Sequence, residues 1–440
     1  NPENRLFIMD AISNIPGQGK KKRVVIVGGG FGGLKLARKL NDNDFQVVLL
    51  DKNNYHLFQP LLYQVATSGI EPSAISFPFR KIFKYRHDFH IRMCTVEKVV
   101  PEKNCLETSI GEISYDYLVI ATGAGTNFFG DSSLVQRTMQ LKTTSDALFN
   151  RNRVIESFER ALNCTDDEIR RRWLTFVIVG GGATGIELAG ALAEMKKFML
   201  PKDYPELNWD EMRIILVDGG DRLLGAFSEK SSLEVVRSLT RLQVEILLKK
   251  LVKEYDGEKL TFVDGQQIVT NNVFWVAGVK ANSLPGLPQE VYGRGNRLLV
   301  DEFNRVKGMA DIFALGDTAL MVTPDYPNGH PQVVQPSIQQ AHLLANNLRS
   351  MLKGKPLRPF KYRNKGSMAT IGRNDAVAEL SKVRFRGFFA WSLWLLVHLM
   401  SIVGVKNRLF ILINWMWSYV TYDQSLRILI KPEIKKSDPF

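Results

Sequence analysis

The stretch RVVIVGGGFGGLKLARKLNDNDFQVVLLD, residues 23–51, packs a strand, a turn, a helix and a second strand into one short piece of chain. Residues 23–27 are a β-branched run, Gly28-Gly29-Gly30 breaks it, and residues 34–40 place apolar side chains at helical spacing. The next apolar run, 46–50, closes on Asp51. Together these make a βαβ unit whose helix is opened by Gly28-x-Gly30-x-x-Gly33. At such a helix start, exposed backbone N–H groups and the helix dipole favour a pyrophosphate. The first glycine permits the turn, the second lets phosphates approach, and the third lets helix and strand pack. Asp51, 18 residues past Gly33, is the strand-end acid that completes the fingerprint.

The same grammar returns about 150 residues on. Residues 176–179 read as a strand, Gly180, Gly182 and Gly185 repeat the glycine spacing, and a helix runs to about Leu200. A strand at 213–217 then ends on Asp218, with the turn-rich insertion PKDYPELNWD (201–210) between. An aspartate here accepts from a ribose 2′-OH and repels a 2′-phosphate, which favours NAD over NADP, although Arg222 is close in sequence. The fold class that follows is α/β with two Rossmann-like dinucleotide-binding domains. Two such sites in one chain suggest that one holds a flavin and the other delivers hydride. Gly316-Asp317 closes a third strand-like run, so Asp317 reads either as a ligand for the ribityl chain of FAD or as an ordinary turn aspartate. Glu187, two residues past Gly185, reads first as a helix-dipole partner, with a nicotinamide-side role as the alternative.

Composition narrows the class further. With 440 residues the chain can bury two or three cores without disulfide or metal staples. Its three cysteines, Cys94, Cys105 and Cys164, form no C-x-x-C spacing and suit a reducing compartment. His87 and His90 lack a third ligand, so no metal is expected. No secretory signal is expected before Lys20, and Met9 is a candidate start. The net charge of +13 calls for an anionic partner. The basic runs at 20–23 and 170–172 directly precede strands and no nucleic-acid-binding module is recognisable, so nucleic acid is not that partner.

Beyond the glycine motifs, the chain carries NNYHLFQPLLYQVATSGIEP (53–72), ATGAGTN (121–127), GGGATGIELAGALAE (180–194), ALGDTA (314–319), QPSIQQA (335–341) and KGSMATIGRNDAVAEL (365–380). In these segments it closely resembles the type II NADH:quinone oxidoreductases, single-subunit NADH dehydrogenases of respiratory membranes. The resemblance runs from about residue 23 to 430. It implies an FAD domain at 20–150 resumed at 286–380 with quinone-site residues, an NAD(H) domain at 151–285, and a C-terminal membrane-binding region at 381–440. It further implies that Gly28, Gly30, Gly33, Asp51, Thr122, Gly123, Gly316 and Asp317 serve FAD, while Gly180, Gly182, Gly185 and Asp218 serve NADH. Glu187 falls at the family's nicotinamide-side glutamate. Gln335 and Gln339 match glutamines near the quinone and flavin ring, with Lys365 and Met368 lining the same end. Where many members read Ala-Gln, this chain has Val334-Gln335-Pro336. NADH would pass hydride to FAD and the reduced flavin two electrons to a membrane quinone, without proton pumping; a homodimer is expected. Two other classes share part of the pattern: a soluble ferredoxin- or rubredoxin-type reductase, and a non-enzymatic membrane-bound NAD(H) redox sensor.

The tail separates these classes. Residues 387–405 hold 19 positions without Asp, Glu, Lys or Arg, about 28 Å as a helix and just enough to span a bilayer. Yet Lys382, Arg384 and Arg386 precede the run and Lys406 and Arg408 follow it, which would place cations on both sides. A helix or helix pair lying in the interface satisfies both facts. Trp391, Trp394, Trp415, Trp417 and Tyr419 are then expected at headgroup depth, and the cations toward an anionic lipid surface. The expected location is the cytoplasmic face of the cell membrane, attached peripherally.

Overall fold

A computed structural model describes residues 12–380, 383–422 and 426–430. Met9, the candidate start, and Lys382, one of the expected lipid-facing cations, lie outside them. The chain forms two compact units, one from residues of 1–56, 77–125 and 279–364, the other from residues of 57–76, 126–278 and 365–440. The helix Thr144–Leu162 runs through position 151 and belongs whole to the second unit, as does Lys365.

In the first unit, five parallel strands are ordered Ile312–Ala314, Tyr117–Ile120, Lys22–Val27, Phe45–Asp51 and Phe89–Met93. The run read as a strand is thus the middle of the sheet, in register Val24 to Val47 and Val27 to Leu50. The glycine helix Phe31–Lys39 packs on one face together with the helix Val334–Leu352. The other face is covered by the antiparallel meander Val96–Val100, Cys105–Thr108 and Gly111–Ser114, whose Val99, Leu106 and Ile113 join Val25, Val27, Val48 and Leu50 in one core. Burial on both faces explains why these strands read as continuous apolar runs.

The second unit repeats the plan. Its four parallel strands are ordered Val244–Leu247, Arg213–Val217, Thr175–Val179 and Asn272–Trp275. A meander of Val252–Tyr255, Lys259–Phe262 and Gln267–Val269 covers one face through Tyr255, Leu260, Phe262 and Ile268. The glycine helix Ala183–Glu194 continues through a π-turn, Met195–Met199, into Leu200–Asp203.

The same unit carries the C-terminal region. An antiparallel sheet of Ser367–Gly372, Asp375–Leu380 and Val383–Arg386 leads into the helices Gly387–Ser401 and Val405–Thr421. The expected 19-residue run is therefore broken: its helix ends at Ser401 after 15 residues, and Gly404, at φ +85°, turns the chain into the second helix. Among the described residues no helix is long and apolar enough to cross a membrane.

Candidate functional site

Each unit holds a glycine cradle at the end of its central strand. In the first, Gly28 sits at φ +101°, and a Cβ there would lie 2.4 Å from the Ala121 carbonyl oxygen. A Cβ on Gly33 would lie 1.8 Å from the Gly28 oxygen, which is the close helix–strand approach the motif provides. Around Gly30, by contrast, nothing lies within 4 Å, and no side chain caps the helix it starts. The cradle is thus closed everywhere except where a phosphate approaches. Asp51 tightens it: one carboxylate oxygen accepts from Gly29 N at 2.7 Å and the other from Asn53 N at 2.7 Å. Burial pushes its carboxyl up, and these two donors oppose that.

The second cradle has the same construction. Gly180 is at φ +125°, with Ala277 N 2.8 Å from where its Cβ would be, and a Cβ on Gly185 would lie 1.9 Å from the Gly180 oxygen. Gly182 is open, with nothing within 4 Å. Asp218 accepts from Gly181 N at 2.6 Å and Gly220 N at 2.7 Å. Arg222 instead donates to the Gly225 oxygen at 2.8 Å, within its own loop. Both cradles fit a dinucleotide: backbone donors converge at a helix start, and room is left at the middle glycine alone.

Around the first cradle, several residues that sequence reasoning did not single out do the positioning. His56 is buried, with Nδ1 2.9 Å from the Gly29 oxygen and an edge contact to Phe31. Burial lowers its pKa to about 4, so it is neutral and Nδ1 carries the proton it donates. Gln340 accepts from Gly316 N at 2.8 Å, and Gly123 N donates to Thr318 Oγ1 at 3.0 Å. Thr122 donates to the Asn282 oxygen at 2.6 Å. The Asp317 backbone oxygen accepts from Gln332 at 3.1 Å. No periodicity marks these residues, because each serves a backbone group brought from elsewhere in the chain.

The helix Val334–Leu352 holds Pro336 in its first turn, where a missing N–H leaves no carbonyl without its partner. Gln335 is half-buried in that turn. Gln339 uses both ends of its amide on the backbone of Arg363, at 2.9 and 3.0 Å. Met368 packs with Ala376, Ala378 and Ala390, beside Trp391 and Leu393.

Glu187 opens onto a mainly apolar cavity of about 600 Å³ within the second unit. Gly190 makes the site: a Cβ there would lie 1.6 Å from the Ile371 oxygen, so only glycine lets this helix lie against the strand Ser367–Gly372. Thr370 N is 3.5 Å from Glu187 Oε1. The roof comes from the two C-terminal helices through Trp391, Trp394, Trp415 and Tyr419. Only 9% of Glu187 is exposed, and burial pushes its carboxyl up to about 8, against which Thr370 N and the Trp394 indole favour the charged form. It is therefore mostly protonated at neutral pH.

The expected headgroup aromatics are corrected by this roof. Trp394 is 1% exposed, stacks on His398 and faces the cavity, whereas Trp417, at 63%, is open to the outside. The expected lipid-facing cations are also partly spent: Arg408 donates to the Ile402 and Met400 oxygens at 2.8 and 2.9 Å, and Arg386 pairs with Glu234 at 2.9 Å. A helix's open carbonyls attract cations as strongly as a lipid surface does, and sequence alone does not rank the two.

Residues 22–341 match the family described as pyridine nucleotide-disulphide oxidoreductase, and residues 364–421 match the NDH2 C-terminal domain. The chain is 35% identical over 419 residues to the type II NADH:quinone oxidoreductase NdhA of Mycobacterium tuberculosis, covering 91% of this chain and 88% of that one. To the type II NADH:quinone oxidoreductase of Haemophilus influenzae it is 29% identical, covering 82% and 87%. NDH2 of Plasmodium falciparum, solved in complex with NADH, shares the fold at a TM-score of 0.85 and 20% identity, over 94% of this chain and 100% of that one.

Proposed function

The chain belongs to the type II NADH:quinone oxidoreductases, and from that premise we propose how its parts divide the reaction. It is a flavoenzyme that oxidises NADH and reduces a quinone, without pumping protons. FAD, when bound, takes the hydride and passes two electrons on. The observation that carries the reading is the matched pair of glycine cradles, each open only at its middle glycine.

In this assignment Gly28, Gly30 and Gly33 hold the FAD pyrophosphate, with Asp51 fixing the loop and Thr122, Gly123, Gly316 and Asp317 serving the same cofactor. Gly180, Gly182, Gly185 and Asp218 take NADH. Support for NAD over NADP comes from Asp218, whose charge repels a 2′-phosphate, and from Arg222 being turned into its own loop. Glu187 holds a proton at neutral pH beside an apolar cavity and can release it to a reduced acceptor. The quinone-side roles of Gln335, Gln339, Lys365 and Met368 rest on the family resemblance alone.

Thiol chemistry is the weaker reading. All three cysteines are free, and burial pushes the Cys94 thiol up to about 11, which leaves little thiolate to react. The test is direct: the purified protein should carry a flavin absorbance, and a short-chain quinone should accelerate its NADH oxidation. Absence of quinone-stimulated turnover overturns the assignment.

Attachment to a lipid surface through the two C-terminal helices belongs to the same proposal, as does the cytoplasmic side. Phe388, Phe389, Leu396, Met400, Val405 and Trp417 leave a broad apolar surface on them, beyond what isolated exposed residues explain.

A further inference from the structure

Quinone reduction consumes two electrons and two protons. Hydride brings both electrons and one proton, so each turnover draws one more proton from the medium. Glu187 is too buried to collect it directly. Two turns along the same helix face, about 10 Å away, stands Glu194, which lines the same cavity. It is half-buried, the last residue of the α-helix before the π-turn Met195–Met199, an irregularity that often marks a functional position. One carboxylate oxygen accepts from Arg373 N, and the turn at Gly372 packs on it.

Tyr63, 6% exposed on the helix Leu62–Ala66, lines the same cavity as both glutamates. Its hydrogen-bond polarity is fixed from outside. The Trp415 indole only donates, so Gln64 must turn its Oε1 to it, at 2.9 Å, and its Nε2 then donates to the Tyr63 oxygen at 2.9 Å. The tyrosine oxygen is an acceptor there, and its own proton is left to be donated elsewhere. Burial, with Glu187 and Glu194 adding to it, pushes the Tyr63 phenol well above its ordinary range, so it gives up a proton only as it takes another.

We propose that Glu194, Tyr63 and Glu187 form a proton relay across this cavity, with Glu194 as the end that takes protons from solvent. The proposal rests on the quinone reductase reading. In one turnover the Glu187 O–H bond breaks as a quinol O–H bond forms. Tyr63 passes its proton to Glu187 in the same step as it takes one from Glu194, so no tyrosinate forms, and water then reprotonates Glu194, so no residue is changed at the end. The charged groups facing Glu194 are Arg373 from the hairpin turn and Lys197 from the π-turn, and both favour its ionised form, while burial favours the neutral one. Opposed influences of this kind suit a group that both takes and gives a proton.

The test uses the full-length holoenzyme with a short-chain quinone. Glu194→Gln keeps an oxygen for Arg373 N and removes the transferable proton. Its kcat with quinone should fall about tenfold or more, most steeply above pH 7, with an increased solvent deuterium isotope effect. The rate at which NADH reduces the bound flavin in a single turnover, and the KM for NADH, should stay at wild-type values. Tyr63→Phe should show the same signature, and Glu194→Asp should recover most of the loss. Wild-type kcat and isotope effect in Glu194→Gln, in an enzyme whose wild type does reduce quinone, overturn the relay alone. Equal losses in the Gln and Asp variants accompanied by a raised quinone KM also overturn it, in favour of a packing role. A wild type that reduces no quinone overturns the underlying reading together with the relay.

Discussion

A methyl group distinguishes the glycines of each cradle. Gly33→Ala and Gly185→Ala would drive a Cβ into a backbone oxygen at 1.8 and 1.9 Å, so both should fail to fold. Gly30→Ala and Gly182→Ala meet nothing within 4 Å, so Gly182→Ala should keep the wild-type melting temperature and Gly30→Ala that of the flavin-free wild type. Their expected defect is in binding: Gly30→Ala should lose flavin on purification, and Gly182→Ala should raise the KM for NADH about tenfold or more while retaining flavin. Loss of stability in Gly182→Ala would contradict the open cradle. Glu187 carries a pH dependence of its own. Its folded-state pKa of about 8 lies above the ordinary 4.5, so its contribution to stability is complete below 4.5 and is lost as pH rises toward about 8. Glu187→Gln should therefore melt with the wild type near pH 5 and above it at pH 8. The gap should be on the order of 2–4 kcal/mol, read from unfolding curves across that range. The sequence placed Glu187 one turn into its helix. It could not reveal the buried pKa, because the roof that desolvates it is some 200 residues further along the chain.

At the scale of elements, the two fingerprint units were legible because glycine spacing and strand-terminal acids are local signals. The tail was less so. Its 19-residue run without charge has the length of a span, yet its helix stops after 15 residues and a second helix of 17 starts at Val405; at about 22 and 26 Å each is short of a ~30 Å bilayer core. Gly404 makes the break and Arg408 secures it, by donating to the two carbonyls that end the first helix. Arg408→Ala should cost ~1–2 kcal/mol of stability in denaturant unfolding. Arg408→Lys should recover little, because an ammonium on a single stem does not reproduce the guanidinium fork. Equal stability of wild type and alanine variant would show that the break is held by other means. The insertion 201–210, read only as turn-rich, begins within the short helix Leu200–Asp203 and runs into the turn Trp209–Glu211, continuing the π-turn that Glu194 precedes.

For the molecule as a whole, the proposed attachment to an anionic lipid surface would use both the charge of +13 and the apolar surface of the terminal helices. Phe389→Glu with Trp417→Glu places two charges on that surface, at residues 76% and 63% exposed, away from the cavity. Cosedimentation with anionic phospholipid vesicles should fall about tenfold or more, while NADH oxidation by a soluble dye stays at wild-type rate. Unchanged sedimentation would remove the helices from the anchoring role. Deleting everything after Arg386 is a coarser test, since it also removes the cavity roof and should abolish quinone reduction even in solution. Contiguous residues carry the two cradles, their order, the strand-end aspartates and a basic apolar tail, and these are legible without any structure. The environment of single groups emerges only once distant segments pack together. Trp394 became a cavity wall, Arg408 a helix cap, His56 a neutral clamp on the glycine loop, and Glu187 an acid that keeps its proton. Burial and hydrogen-bond partnership are set by chain segments distant in sequence, and it is those that fix a side chain's charge and direction.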